Sequence, residues 1–240
     1  MSIQRKLGFI IFALNYFVWS YPIRIYRVVK KVLVILKNLL SFRYTVKVFL
    51  EDVFGWSLLI GDLLGIPELY DSTMLLLKPS TRNLNAEELE IASDIIGDSI
   101  PLYLIKIDDK VNFLAKKGRF AYVSFFTINL YGKLRSDTFV HELIHVWQYT
   151  RFGSEYIAKA LFAQHSHEGY DYGGAKGITE AYIKNNNILD FNFEQQGDIL
   201  SDYFINKYKE SIKGSSLQFQ REKIYSHFVD QIKELKIYRW

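Results

Sequence analysis

The 240-residue sequence contains no cysteine, and that absence narrows its chemistry at once. No disulfide can staple the chain and no thiolate can bind a metal, so any metal must be held by His, Asp or Glu. The compartment stays open, because a secreted protein can also lack cysteine. Proline is scarce, with 4 residues, and no low-complexity linker or internal repeat interrupts the chain. With 49% hydrophobic, 23% charged and 16% aromatic residues, the composition is that of an ordered globular protein. Its length suits one domain with an appendage. The formal charge of +4 is small. Lys and Arg gather in the first fifty residues and again toward the C-terminus, at Lys207, Lys209, Lys213, Arg221, Lys223, Lys233, Lys236 and Arg239. Basic ends of this kind suit anionic lipid or a solvated helix face, and no nucleic-acid partner is expected.

Long apolar runs are few, and the first is the longest. Leu7 to Ile23 holds seventeen residues without a charge, flanked by Arg5 and Lys6 before it and Arg24, Arg27, Lys30 and Lys31 after it. That is short of the roughly 20 residues needed to span a bilayer. Asn15 and Pro22 weaken a span, whereas Tyr16, Trp19 and Tyr21 suit an interface. No small-residue cleavage site follows, which argues against a removed signal peptide. Val28 to Leu40 reads as an amphipathic helix with periodic Lys. Residues 7–40 thus carry two readings, membrane association and packing on the domain that follows. Residues 1–45 are expected to form this N-terminal helical segment. Residues 46–80, broken by Gly55, Gly61 and Gly65, should form a helical connector or hairpin.

From residue 81 to 240 the pattern is α+β. Asn85 with Glu87 and Glu88 opens a helix that stops at Gly97. Tyr103–Ile107 and Phe120–Leu130 read as strands. Ser136 or Asp137 can cap a helix to about Arg151, with Gly153 as its stop. A glycine-rich loop leads to a short helix near Ile178–Asn185, then to a helix from Phe193 to about Lys209 and a last one at the C-terminus.

His141 and His145 lie four residues apart on the helix that ends near Arg151, so they project from one face, one turn apart. Two imidazoles so placed can bind one Zn²⁺. Glu142, about 100° round the helix, is placed to take a proton from an activated water rather than to ligate. Catalytic zinc usually takes a third protein ligand. Glu194 is the choice here, with Asp198 on the same face placed to bond the outer nitrogen of a ligand histidine. Glu180 is second, and His165, His167 and Asp171 sit in or near the glycine-rich loop. A third histidine at the HExxHxxGxxH spacing is excluded, because Arg151 stands there.

The pairing of His141-Glu142-Leu143-Ile144-His145 with Glu194-Gln195-Gln196-Gly197-Asp198 resembles the gluzincin clan of zinc peptidases. That resemblance implies Glu194 as third ligand and Asp198 as the support of a ligand histidine. More closely, residues from about Asn83 to Tyr208 look like a bacterial zincin-like domain of unknown function. That domain recurs beside contractile-injection, Vgr and Rhs-type toxin proteins. The similar stretches are Leu84–Glu88, Ile96–Ile100, Phe139–Gln148 and Phe193–Gln196, about half the chain. Alanine commonly follows the paired glutamines in that family, where this chain has Gly197. The resemblance implies a zincin-like metallopeptidase domain and a zinc-dependent hydrolase acting on a peptide or protein. Its setting would be bacterial: membrane-associated, cytoplasmic, or exported as an effector. Tyr172, Tyr170 and His167 are candidate donors to the oxyanion, with Tyr172 taken as the catalytic phenol. The competing reading is a catalytically silent scaffold docked to a membrane or to a secretion or toxin system. A membrane-active toxin ranks third.

Overall fold

The computed structural model describes residues 3–41, 44–78, 80–110, 121–130, 132, 134–209 and 216–235. Phe120, Lys213, Lys236 and Arg239, which entered the reading of strands and basic clusters, lie outside them, as does Pro79. The chain is mixed α+β and mostly helical. In order, it runs through α1 (Ile3–Leu40), α2 (Val46–Leu63), α3 (Ile66–Leu77), β1 (Arg82–Asn83), α4 (Ala86–Ile96), β2 (Lys106–Asp108), β3 (Tyr122–Ser124) and β4 (Thr127–Asn129). The helices α5 (Ser136–Phe152), α6 (Glu155–Gln164), α7 (Gly174–Ile183), α8 (Phe193–Phe204) and α9 (Ser216–Glu234) follow.

The four strands form one sheet in the order β1-β2-β4-β3. β1 pairs antiparallel with β2, β2 parallel with β4, and β4 antiparallel with β3, placing Ile107 opposite Ile128 and Ile128 opposite Val123. The single strand expected over 120–130 is therefore a hairpin. Its turn is at Phe125 and Phe126, with Phe125 at φ 58°. Long-range polar partners hold that turn. Asp71 accepts from the Phe126 backbone N–H at 3.2 Å and from the Thr127 hydroxyl at 3.2 Å. The Tyr156 hydroxyl donates to the Val123 carbonyl at 2.9 Å. The strand expected over Tyr103–Ile107 is shorter, because Leu102–Leu104 form a 3₁₀ turn.

Local signals account for several helix ends. Asn85 and Glu88 make a reciprocal capping box at the start of α4, which stops at Gly97. α5 begins one residue earlier than a Ser136 cap would allow. Arg135 is its cap residue and makes no side-chain cap bond, so Ser136 and Asp137 lie in the first turn. α6 was not legible as a separate helix. α2 and α3 form the expected pair of helices, divided at Gly65, whose φ of 70° lies in the left-handed region that glycine enters freely.

α5 is the central element, buried over most of its circumference from Phe139 to Thr150. It packs on α8, α4, α6, β3 and β4. Leu143, Ile144, Val146 and Trp147 join the core with Ile128, Ile199 and Leu200.

Residues 3–40 form one helix with Pro22 inside it. By length and composition alone it could cross a membrane. Its inner stripe, Phe9, Ala13, Tyr16, Ser20, Arg24, Arg27 and Lys31, is buried at helical spacing. The polar members of that stripe are paired. Arg24 makes a bidentate ion pair with Glu68 of α3 and donates to the Asp62 carbonyl at 2.6 Å. Arg27 donates to the Thr150 and Arg151 carbonyls at 2.6 and 3.0 Å, satisfying the free carbonyls at the end of α5. Lys31 bridges Asp52 of α2 and Glu155 of α6 at 2.5 and 2.6 Å. Asp62 of α2 accepts from the backbone N–H of Ser154 at 2.8 Å, and from its hydroxyl, at the start of α6. The first 78 residues are therefore bound to the corner between α5 and α6.

Removing one partner of a buried ion pair leaves an unmatched charge, which costs roughly 3–5 kcal/mol. Glu68→Ala is expected to lower unfolding stability by about that amount, whereas Arg24→Met with Glu68→Met should recover much of it. Denaturant midpoints would check this. A loss under about 1 kcal/mol in Glu68→Ala would show that the pair is solvated.

Candidate metal centre

The two histidines come from the middle of α5, where burial on every side fixes their direction. Glu194 comes from the first turn of α8. Asn192 caps that helix, accepting from the backbone N–H groups of Glu194 and Gln195 at 3.0 and 2.9 Å. The Gln195 side chain accepts from the Asn192 backbone N–H in return, at 3.0 Å. α5 packs along α8, and that contact brings the carboxylate onto the imidazoles.

One ligand atom each from His141, His145 and Glu194 lie within 4.8 Å of one another. His141 Nε2 is 3.2 Å from Glu194 Oε2, and His145 Nε2 is 3.6 Å from Glu194 Oε1. Both Nε2 atoms thus face the carboxylate, and both Nδ1 atoms face outward to a fixed partner. His141 Nδ1 lies 2.9 Å from Asp198 Oδ1, and His145 Nδ1 lies 2.8 Å from Gln148 Oε1. Such outer bonds select the tautomer that leaves Nε2 free and orient the ring. Gln148 is held in turn, donating to the Phe193 carbonyl and to Gln196 Oε1, each at 2.9 Å.

The electrostatics follow from burial. Glu194 is 1% exposed, which by itself disfavours its charge. Hydrogen bonds with His141 and His145 reverse that and hold its carboxyl well below the usual range. Burial also opposes a charged His141, yet its bonds to Asp198 and Glu194 push the imidazole up to about 10. A cation at the two Nε2 atoms would compete with protons for them, so metal binding would be favoured as pH rises. Burial pushes the Glu142 carboxyl above its ordinary range. Its Oε2 is buried and makes no hydrogen bond among the described residues. Two imidazoles, one carboxylate, two outer supports and an unpartnered buried carboxyl oxygen together fit a divalent cation of the zinc type.

Of the residues singled out in the sequence, His141, Glu142, His145, Glu194 and Asp198 are brought together. Tyr172 is placed elsewhere: its hydroxyl bonds Asp202 and lies 2.8 Å from the Tyr225 hydroxyl. Tyr170 lies beside the cluster instead, with its ring 5.9 Å from that of His141. Glu180 is exposed and pairs with Lys176. His165 is exposed and bonds the Leu161 carbonyl at 2.7 Å. His167 is exposed, and exposed Asp171 accepts from the Gly173 backbone N–H. Two contributors were not singled out. Gln148 stands three residues after His145, so helical spacing could have suggested it. Gln164, which donates to Glu194 Oε1 at 3.0 Å, comes from α6 and leaves no local signal.

Gly197 has a specific task. A Cβ there would sit 2.6 Å from His141 Cε1 and 2.7 Å from its Nδ1, so only glycine lets α8 approach this closely. Gly197→Ala should leave helix content intact, since alanine favours a helix by about 1 kcal/mol over glycine. It should displace the His141 ring and weaken binding of an added divalent cation at the cluster by about tenfold or more. Competition against a chromophoric chelator would read this, and an unchanged affinity would contradict the close approach.

No family model and no solved structure matches the chain. Among curated proteins it is similar to the type VI secretion system spike protein VgrG2b of Pseudomonas aeruginosa, at 26% identity over 170 residues. Those residues cover 64% of this chain and 15% of that protein, so the chain corresponds to a small part of its relative's length.

Proposed function

We propose that the chain is a zinc-dependent metallohydrolase, a peptidase of the zincin type, with His141, His145 and Glu194 as ligands. The convergence of both Nε2 atoms on the Glu194 carboxylate, with both Nδ1 atoms held from behind, carries this reading. Zn²⁺ held there would supply Lewis acidity that polarises a carbonyl and acidifies water.

The chain's own groups supply the rest. Glu142 is buried, unpaired at one oxygen, and raised toward neutrality by that burial, which suits a carboxylate that takes up a proton and gives it back. It takes a proton from the attacking water and passes it to the leaving amine nitrogen. Asp198 and Gln148 keep the imidazoles oriented while charge changes beside them. Tyr170 is the phenol near enough to donate to a developing oxyanion, in the role first assigned to Tyr172. β3 is an edge strand packed on α5, which suits an extended peptide that adds to the sheet. The likeness to a secretion spike protein supports a place with an apparatus of that kind, as an effector module.

The test is zinc content of the full chain, followed by hydrolysis of an unstructured protein such as casein. One zinc per chain is expected, lost or much weakened in Glu194→Ala. Glu142→Gln should keep zinc and lose hydrolysis by about two orders of magnitude or more. Zinc bound with no hydrolysis in the unmutated chain would turn the reading to a metal-stabilised scaffold. No zinc after loading at neutral pH would refute the site.

A further inference from the structure

The polarity of α1, α2 and α3 is reversed from that of an ordinary surface helix. Arg24, Arg27, Lys31, Asp52, Asp62, Glu68 and Asp71 point inward, into ion pairs and hydrogen bonds, and the outward faces are largely apolar. On α1 the outward stripe includes Leu7, Ile11, Leu14, Val18, Ile25 and Val29, all exposed and at helical spacing. The apolar surface continues over Val46 and Leu50 of α2, Leu64, and Leu69 and Leu77 of α3. Exposed apolar side chains gathered on three successive, mutually packed helices mark an interaction site.

Charge identifies the occupant. The first 78 residues hold five acids, Glu51, Asp52, Asp62, Glu68 and Asp71, and ten bases. Four of the acids are buried and Glu51 is half-buried, whereas Lys30, Lys37 and Lys47 are exposed. The outer face is therefore apolar with a rim in which Lys30, Lys37 and Lys47 outnumber the one half-buried acid, Glu51. A second copy related by two-fold symmetry would set that mainly cationic rim against itself, with only Glu51 to meet it. Anionic headgroups above acyl chains match both features. Trp19, 78% exposed, and Tyr26 add the amphipathic rings that favour the boundary between chains and headgroups.

Orientation follows from what covers the inner face. Phe9 lies under Lys106, whose Nζ is 4.5 Å from the ring centroid, and Tyr16 meets Phe126 edge-on at 5.1 Å. Lys31 bonds Glu155 at the other end. From Phe9 to Lys31 is about 33 Å of helix at 1.5 Å per residue, as long as a bilayer's hydrocarbon core is thick. A helix covered by folded protein along that length cannot cross the membrane. We propose that α1, α2 and α3 form a platform that lies in one leaflet of an anionic membrane, with α1 parallel to the surface and the metal centre held above it. This goes beyond the metal reading and does not depend on it.

The experiment is flotation of the full chain with vesicles of equal parts phosphatidylcholine and phosphatidylglycerol. Co-flotation is expected, weaker with phosphatidylcholine alone and weaker at high salt. Val18→Glu with Ile25→Glu and Val29→Glu, all outward-facing, should abolish it while helix content and the thermal unfolding midpoint stay unchanged. Trp19 emission should shift to the blue on vesicle addition, and the shift should be missing in Trp19→Phe. Lipids brominated near the headgroup should quench Trp19 more than lipids brominated at the chain ends. The reverse order would overturn the parallel orientation. A chain that stays with the lipid-free fraction, or a defined dimer whose Trp19 is shielded without lipid, would overturn the membrane platform.

Discussion

A carboxylate almost cut off from water cannot stay ionised alone, and Glu194 stays ionised because two imidazoles meet it across the junction of α5 and α8. That contact sets demands on both helices. α5 must carry its histidines on one face and still bury nearly all of its surface, so neighbours are needed on every side. α8 must start where it does, which Asn192 and Gln195 ensure by capping each other. It must also approach the His141 ring more closely than any side chain at position 197 would permit. The outer partners complete the arrangement. Without Asp198 and Gln148 the rings could present either nitrogen, and the convergence of the two Nε2 atoms would be lost.

The N-terminal helices meet the same elements from the other side. Arg27 satisfies the last carbonyls of α5, Asp62 takes the first donors of α6, and Lys31 pairs with Glu155 in the first turn of α6. Arg27 and Asp62 each place a charge of the sign that the helix terminus they meet favours. The helix that carries His141 and His145 is thus gripped at its C-terminal end by the N-terminal segment. Asp71 extends the connection to the sheet by holding the Phe125–Phe126 turn. Its burial pushes its carboxyl up to about 8, so it holds that turn with a carboxyl that is neutral over much of the ordinary pH range.

The His141–His145–Glu194 cluster was legible in the sequence because its parts are local. Two histidines four apart on one helix, and a carboxylate four before an aspartate on another, are visible as spacing. The reading failed where the deciding contact is distant. The hairpin at Phe125 is fixed by Asp71 and Tyr156, fifty-odd and about thirty residues away. Tyr170 and Tyr172 stand two apart in one glycine-rich loop, and nothing local says that Asp202 and Tyr225 claim Tyr172. Gln164 reaches Glu194 only because α6 folds back beside α8.

The N-terminal segment shows a deeper limit. Hydropathy averages over a helix, and from Leu7 to Ile23 both faces of α1 are apolar, so the average does not distinguish a core helix from a membrane helix. The charges that follow decide it by their direction, since Arg24, Arg27 and Lys31 share the face of Phe9, Ala13 and Tyr16. A buried guanidinium needs a counter-charge and carbonyl partners, so that face must meet protein. The acids that answer it are scattered over α2, α3 and α6, where each alone looks like an ordinary surface residue. Once they are drawn inward, half-buried Glu51 is the one acid left against the outer lysines, and an apolar surface with a mainly cationic rim is what the pairing leaves behind.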